Sequence, residues 1–267
     1  MAIDPSANIH PTAIISEGAV IGAGCTVGPY CLVGSRVELA ANVSLKSHVV
    51  VEGDTRIGED TVIWPFASIG HQPQDLKFGG EHSQLQLGAR NMIRESVTMN
   101  PGTEGGGMVT RIGNDNLFMV NVHVGHDCQV GDNIVIANNV SLAGHVIVED
   151  NVVIGGHSGV HQFCRIGRGA MVGVLSAVLS DVIPYGTVTG DAATLGGLNL
   201  VGLKRRQANK SDMNGLRSAF RDVFTGDGTL RERASRTKGN FPENPLVQDM
   251  VDFILSDSDR AFCQPRI

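Results

Sequence analysis

The stretch Ala19-Val-Ile-Gly-Ala-Gly-Cys-Thr-Val-Gly-Pro-Tyr-Cys-Leu-Val-Gly34 sets the pattern of the chain. Ile21, Val27 and Val33 stand six apart, each followed by glycine, and Ala19, Cys25 and Cys31 each come two residues earlier. Stepping by six in both directions gives Ile9, Ile15, Leu39, Leu45, Val51, Ile57, Ile63 and Ile69. The period resumes at Leu87, Ile93 and Met99, and again from Ile112 and Phe118 through Val124 to Val178. No α-helix produces this row, because residues six apart fall on widely separated faces at 3.6 per turn. A small or β-branched residue followed two positions later by a large aliphatic marks a β-helix, in which three units close a coil of eighteen residues. The expectation is therefore a mainly β protein, a parallel β-helix of hexapeptide repeats.

The composition follows from that shape. The 267 residues include 34 glycines, near twice the ordinary share of roughly 7%. There are only nine Phe, two Tyr and one Trp, yet 42% of the chain is hydrophobic. Aliphatics fill a narrow interior, glycine is expected to serve tight turns, and aromatics have little room. This aliphatic content excludes a disordered polymer, and glycine does not recur at every third position as in collagen. Cys25, Cys31, Cys128 and Cys164 fall on the inward position and read as buried small hydrophobes. Five cysteines without a CxxC pair argue against a disulfide framework or a thiolate zinc cluster and fit a reducing compartment. No apolar run reaches membrane-span length, and the start Met1-Ala-Ile-Asp-Pro lacks the features of a signal peptide, so the expected location is cytoplasmic. A net charge of −6 gives no reason to expect nucleic acid as a partner.

Two segments break the period, at about 71–86 and 100–111, and must loop out of the shaft. After Val178 the pattern fades, which divides the chain into a β-helix over 1–190 and a helical domain over 191–267. Ser211 is expected to cap a helix running to Phe224, with Met213, Leu216, Phe220, Val223 and Phe224 on one face. A shorter helix is expected over Leu230 to Thr237, and another after Pro245 with Leu246, Met250, Phe253 and Ile254 as its stripe.

Five of the nine histidines, His123, His126, His145, His157 and His161, lie within one short region. Counted in coils of eighteen, His126, His145 and His161 fall near one corner on successive coils, a polar strip up the outside of the shaft. His126 beside Asp127 suits a general base, since a carboxylate orients an imidazole and stabilises its charged form. Neighbours on a strand point to opposite faces, so the pair requires a turn. The bland reading is a set of histidines tolerated at exposed turns. Zinc held by three histidines from two chains is the rival chemistry. The β-helical carbonic anhydrases that use it have a different histidine spacing, and no metal is expected.

With these features in place, the chain resembles the bacterial acyl-carrier-protein:UDP-N-acetylglucosamine O-acyltransferases of lipid A synthesis. The resemblance covers essentially the full length and rests on Gln74-Asp-Leu-Lys77, Ile93-Arg-Glu-Ser-Val-Thr98, Asp115-Asn-Leu117, His126-Asp-Cys128, Leu142-Ala-Gly-His145, Val160-His-Gln-Phe-Cys164 and Gly202-Leu-Lys-Arg-Arg206. It implies a homotrimer of left-handed β-helices with active sites between neighbouring chains. It also implies transfer of an R-3-hydroxyacyl group from acyl carrier protein to the glucosamine 3-hydroxyl of UDP-N-acetylglucosamine. No separate cofactor is implied, since the donor carries phosphopantetheine on its carrier. By resemblance His126 matches the general base, Asp127 its orienting carboxylate, and Gly144 the backbone donor to the oxyanion. Gln74, Asp75, Lys77, His123, His145, His161 and Gln162 match residues lining the sugar and pantetheine sites; Asn199, Arg205 and Arg206 match those near the nucleotide. The alternatives are the later N-acyltransferase of the same pathway, which usually carries an additional N-terminal domain, and a non-catalytic β-solenoid scaffold.

Three residues depart from the family pattern. Asn100 replaces a common histidine, and Val201 replaces a common glutamate of the nucleotide segment. Val174 follows Gly173 where members using longer acyl chains can have a second glycine. Gly173 and Val174 match the family's hydrocarbon ruler, and each methylene denied burial loses about 0.8 kcal/mol. The expected preference is for acyl chains shorter than fourteen carbons. Transfer rates compared across 3-hydroxyacyl carrier proteins check this, and a maximum with the fourteen-carbon donor overturns it.

Overall fold

The computed structural model describes residues 2–265; Met1, Arg266 and Ile267, which the expected limits at 1 and 267 include, lie outside them. Most strands of the shaft are only two residues long, and they assemble into three sheets of nine, eleven and nine strands. Apart from the antiparallel pair Gly186–Thr189 and Thr194–Leu198 at the end of the eleven-stranded sheet, the pairing is parallel and advances by one coil at a time: Val27 pairs with Leu45 and Leu45 with Ile63. The period-six residues from Ile21 onward point inward and are buried, as are Cys25, Cys31, Cys128 and Cys164. Ile9 and Ile15 remain half-buried because they belong to the first coil, which has no coil beneath it. Phe118 is the one aromatic among the largest fully buried side chains of the described residues.

Glycine serves tight left-handed turns at Gly18, Gly24, Gly70 and Gly169, but most glycines that follow the repeat residues do a different job. Gly28 does not have a positive φ; a Cβ there would lie 2.6 Å from the carbonyl oxygen of Lys46 on the next coil. Close approach of coils excludes the side chain. Most left-handed corner positions are taken by residues such as Asn121, Asp127, Asn133, Asn139, His145 and Asn151, all with φ near 60°. Asn and Asp adopt this conformation more readily than most residues.

The excursions lengthen two coils without disturbing the register. Asn8 pairs with Thr26 eighteen residues on, whereas Asp54 pairs with Gln84 and Thr98 with His123, offsets of 30 and 25. The shaft resumes earlier than the interruption of the period suggests, with strands at Gln84–Leu87 and Val109–Ile112. Leu85 and Leu87 alternate inward and are buried, so these residues are shaft and not loop.

Beyond the shaft, helix α1 spans Leu200–Arg205, α2 Lys210–Phe224, α3 Leu230–Asn240 and α4 Pro245–Leu255. Helix α1 has no counterpart in the sequence expectation, being a single short turn-and-a-half capped by Asn199. The cap of α2 is Asn209, whose side chain accepts the Ser211 N–H at 2.9 Å, so Ser211 lies inside the helix. Helix α3 begins with a capping box, Thr229 and Glu232, and continues three residues past Thr237. Helices α2, α3 and α4 pack on one another around Leu216, Val223, Ala234, Val247, Met250 and Ile254. No helix among the described residues is long and apolar enough to cross a membrane.

A buried ion pair of the shaft, Arg165 with Asp181, anchors the helical tail. The fully buried carboxylate of Asp181 accepts from the Arg165 N–H at 2.8 Å, from Arg165 Nε at 2.7 Å and from Ser258 Oγ at 2.7 Å. The same guanidinium lies 4.3 Å from the Phe253 ring of α4 and donates to Ser256 Oγ. Removing one partner of a buried pair leaves the other charge uncompensated and costs about 3–5 kcal/mol. Asp181→Ala is expected to lower the urea midpoint correspondingly; an unchanged midpoint at unchanged slope removes the pair as the anchor.

Candidate active site

The histidine strip is built by the corner geometry. Asp127, His145 and Phe163 each have φ near 62° and stack eighteen residues apart as one left-handed column. His126 occupies the neighbouring column with Gly144 and Gln162, and His161 lies one column further, after Gly125 and Ala143. The three histidines expected to stand above one another thus share a corner but occupy three adjacent columns. His145 meets the His126 ring edge-on, with centroids 5.0 Å apart, and stacks on Phe163 at 4.4 Å. His157 belongs to a different corner, where it meets Asn139.

His126 Nδ1 lies 2.8 Å from Asp127 Oδ2. The left-handed turn at Asp127 is what turns two sequence neighbours toward each other. A carboxylate only accepts, so Nδ1 carries the proton of this bond and Nε2 is left with a free lone pair. Gly144 lies against the ring: a Cβ there would fall 2.6 Å from His126 Nε2. The Gly144 N–H donates to no group among the described residues.

Asp127 has no exposed side-chain surface. Its Oδ1 accepts the Thr103 N–H at 2.8 Å, its Oδ2 accepts the Thr103 hydroxyl at 2.6 Å, and its own N–H donates to Thr110 Oγ1 at 2.7 Å. Gly106 closes over it, where a Cβ would overlap the carboxyl group. Sequence reading missed Thr103, Thr110 and Gly106. The glycine-rich run after Asn100 signalled close backbone approach, but nothing in it named the partner 24 residues on.

A cavity of about 560 Å³ opens beside the pair. Of the expected site residues, Gln74, His123, His126, Gly144, His161 and Gln162 line it, with Asn100 and, at its upper end, Leu179. His161 Nδ1 donates to the Gln162 carbonyl, and His123 Nδ1 meets Thr98 Oγ1 at 2.7 Å. Asp75 and Lys77 stand on the same excursion as Gln74, with the Lys77 N–H donating to Asp75 Oδ1 at 3.0 Å. Asn100 is buried, and its amide donates to the carbonyls of His71 and Gln72, pinning the base of that excursion.

The remaining expected residues lie elsewhere on the chain. Asn199, Arg205, Arg206 and Val201 line a second cavity, of about 640 Å³, on the face that presents Val153, Met171 and Thr187. Asn199 also caps α1 through the Gly202 N–H and donates to the Gly169 carbonyl. Gly173 packs beneath Thr189, and Val174 is 67% exposed and lines neither cavity. A single chain therefore does not bring the nucleotide-side residues to His126.

The ligand atoms of His126, Asp127 and His145 lie within 4.8 Å of one another, a spacing that three metal ligands can have. Here His126 and Asp127 are paired with each other, Asp127 is also held by Thr103, and the imidazole–carboxylate pair is arranged for proton transfer. Burial, and secondarily the charge of His126, holds the His123 pKa below the ordinary imidazole value. Burial also lowers that of His145, opposed in part by Asp127. Both rings bind protons less readily folded than unfolded, so their contribution to stability is complete above about pH 6.5 and is lost as pH falls below it. Urea midpoints measured from about pH 8 to pH 5 are expected to fall less steeply in the His123→Gln, His145→Gln double variant than in the wild type. Identical slopes remove these rings from the acid response.

Comparison with known proteins agrees with this construction. Residues 181–263 match the family described as Udp N-acetylglucosamine O-acyltransferase, domain 2, and residues 110–144 match the bacterial transferase hexapeptide repeats. The acyl-[acyl-carrier-protein]–UDP-N-acetylglucosamine O-acyltransferase of Paracoccus denitrificans is 54% identical over 76% of this chain and 77% of its own. That of Rickettsia felis is 51% identical over 80% of this chain and 81% of its own. Among solved structures, UDP-N-acetylglucosamine acyltransferase from Campylobacter jejuni superposes with a TM-score of 0.91 at 36% identity, covering 97% of this chain and 100% of that one. The corresponding protein from Acinetobacter baumannii gives 0.87 at 40% identity, over 99% and 100%. With two relatives more than half identical over at least three quarters of their lengths, the chain belongs to the acyl-[acyl-carrier-protein]–UDP-N-acetylglucosamine O-acyltransferase family.

Proposed function

We propose that this chain transfers a 3-hydroxyacyl group from acyl carrier protein to the glucosamine 3-hydroxyl of UDP-N-acetylglucosamine, with His126 as general base. The observation that carries the reading is the buried Asp127 carboxylate 2.8 Å from His126 Nδ1, which leaves Nε2 free beside an open cavity. His126 Nε2 takes the proton of the sugar hydroxyl as that oxygen attacks the thioester carbonyl. The resulting imidazolium is stabilised by Asp127. The tetrahedral oxyanion accepts from the unengaged N–H of Gly144, a donor already fixed before reaction. Collapse breaks the C–S bond, and the departing pantetheine sulfur receives the proton held by His126. The acyl group moves with no separate cofactor and no metal in the step. Names of the curated relatives support O-acyl transfer over the N-acyl and scaffold alternatives.

The reading includes a homotrimer with sites shared between chains. One outer face of the shaft carries Glu38, Arg56, Gln86, Arg111 and Gln129 in a single row. Another carries Val62, Met92, Leu117, Val135, Val153 and Met171, an apolar row about 24 Å tall at the spacing of stacked strands. A row of that kind suits contact with a second copy. Such contact supplies a way for Arg205 and Arg206, on one face, to hold a diphosphate whose sugar reaches His126 of a neighbour. The five free, buried cysteines suit a reducing compartment such as the cytoplasm.

An acyl-transfer assay with UDP-N-acetylglucosamine and 3-hydroxyacyl carrier proteins tests the proposal. His126→Ala is expected to lose about a hundredfold or more in kcat while remaining trimeric. Full activity in an assembled His126→Ala protein overturns the assignment of the base.

A further inference from the structure

We infer that Thr103 is a positioning residue for the reaction: it fixes the plane of the Asp127 carboxylate, making the second excursion part of the catalytic machinery. The inference rests on the reading of His126 as base and adds to it a group from outside the repeat.

Three hydrogen bonds reach the buried carboxylate from side chain or backbone, and two of them come from Thr103. Its N–H holds Oδ1 at 2.8 Å and its hydroxyl holds Oδ2 at 2.6 Å, the same oxygen that receives His126 Nδ1–H at 2.8 Å. His145 Nε2, at 3.8 Å from Oδ2, stands too far away to replace either. One donor on each oxygen fixes the carboxylate plane, and the plane fixes where the imidazole points. The 2.6 Å O–H···O separation is in the range of a hydroxyl bound to a charged oxygen.

The hydroxyl is taken from its usual local task. Thr103 is the N-cap of the 3₁₀ turn Glu104–Gly106, with extended φ and ψ, yet its side chain makes no capping bond. Its carbonyl instead closes the turn, accepting from Gly106 and Met108 N–H, while the preceding Gly102 N–H donates to Gln84 of the shaft. Glu104 N–H donates to Glu81 of the first excursion. Gly106 then lies against the carboxyl group, where any Cβ would overlap it. The excursion is thus fastened to the shaft at Gln84 and to the first excursion at Glu81, and presents its hydroxyl to Asp127 from a fixed position.

The test compares Thr103→Val, which keeps the shape and the N–H but loses the hydroxyl, with Thr103→Ser, which restores it. In the acyl-transfer assay Thr103→Val is expected to lower kcat about 10–100-fold with both KM values unchanged. Thr103→Ser, which restores the hydroxyl, is expected to behave as wild type. In an Asp127→Asn background the same valine substitution is expected to add little, because its effect passes through that carboxylate. If Thr103→Val does not fold, Thr103→Ala compared with Thr103→Ser serves the same purpose. Wild-type kcat in Thr103→Val, a loss that Thr103→Ser does not restore, or an equal further loss in the Asp127→Asn background, overturns the inference. Failure of the underlying reading looks different: His126→Ala itself stays active.

Discussion

Each coil donates its backbone N–H groups to carbonyls of the coil above, Asn8 to Cys25, Thr26 to Val43, Ser44 to Thr61, and so on up the shaft. That ladder holds successive backbones at the separation of neighbouring strands and leaves the interior only as wide as two or three aliphatic side chains. The remaining choices follow from it. Glycine is required where coils approach most closely, as at Gly28. Corner residues must tolerate a left-handed backbone, and anything too large for the interior is placed on a face, a corner or the tail. The active-site turn is an ordinary corner of this kind. Its left-handed column simply carries an aspartate and a histidine where others carry asparagine.

The ladder was legible in the sequence because every coil repeats the same burial problem. The inward slot two before the repeat residue was legible for the same reason, although it tolerates more than the aliphatic rule implies. Asn91 and Asn116 occupy it, fully buried, and each amide donates to carbonyls of neighbouring turns, Asn116 to Gly131 and Asn91 to Gly88 and Gly113. A buried polar group is admissible when the backbone around it supplies its partners. The helical stripe of α2 was legible too, but its cap was not, because Asn209 and Ser211 are both good caps and only the backbone path decides between them.

Contacts outside the period could not be read ahead. The bond between Thr103 and Asp127 joins residues whose separation matches no repeat, and it depends on how seven extra residues fold back over the corner. The histidine strip shows the intermediate case. Counting in coils brought His126, His145 and His161 to one corner, but a difference of one or two residues from eighteen moves a side chain to the next column. That shift puts Phe163, and not another histidine, on top of His145. The two groups of expected substrate residues were joined by resemblance alone; on one chain they occupy different faces.

The insertions at the two excursions leave the strands above them in unbroken alignment with those below. Length can therefore be added around the shaft freely, but along it only in whole coils of about 4.8 Å. Any distance that this protein gauges along its axis is stepped, and finer settings must come from single side chains projecting from a fixed rung. Val174, standing exposed on such a rung, is the kind of element with which a stepped scaffold makes a continuous adjustment.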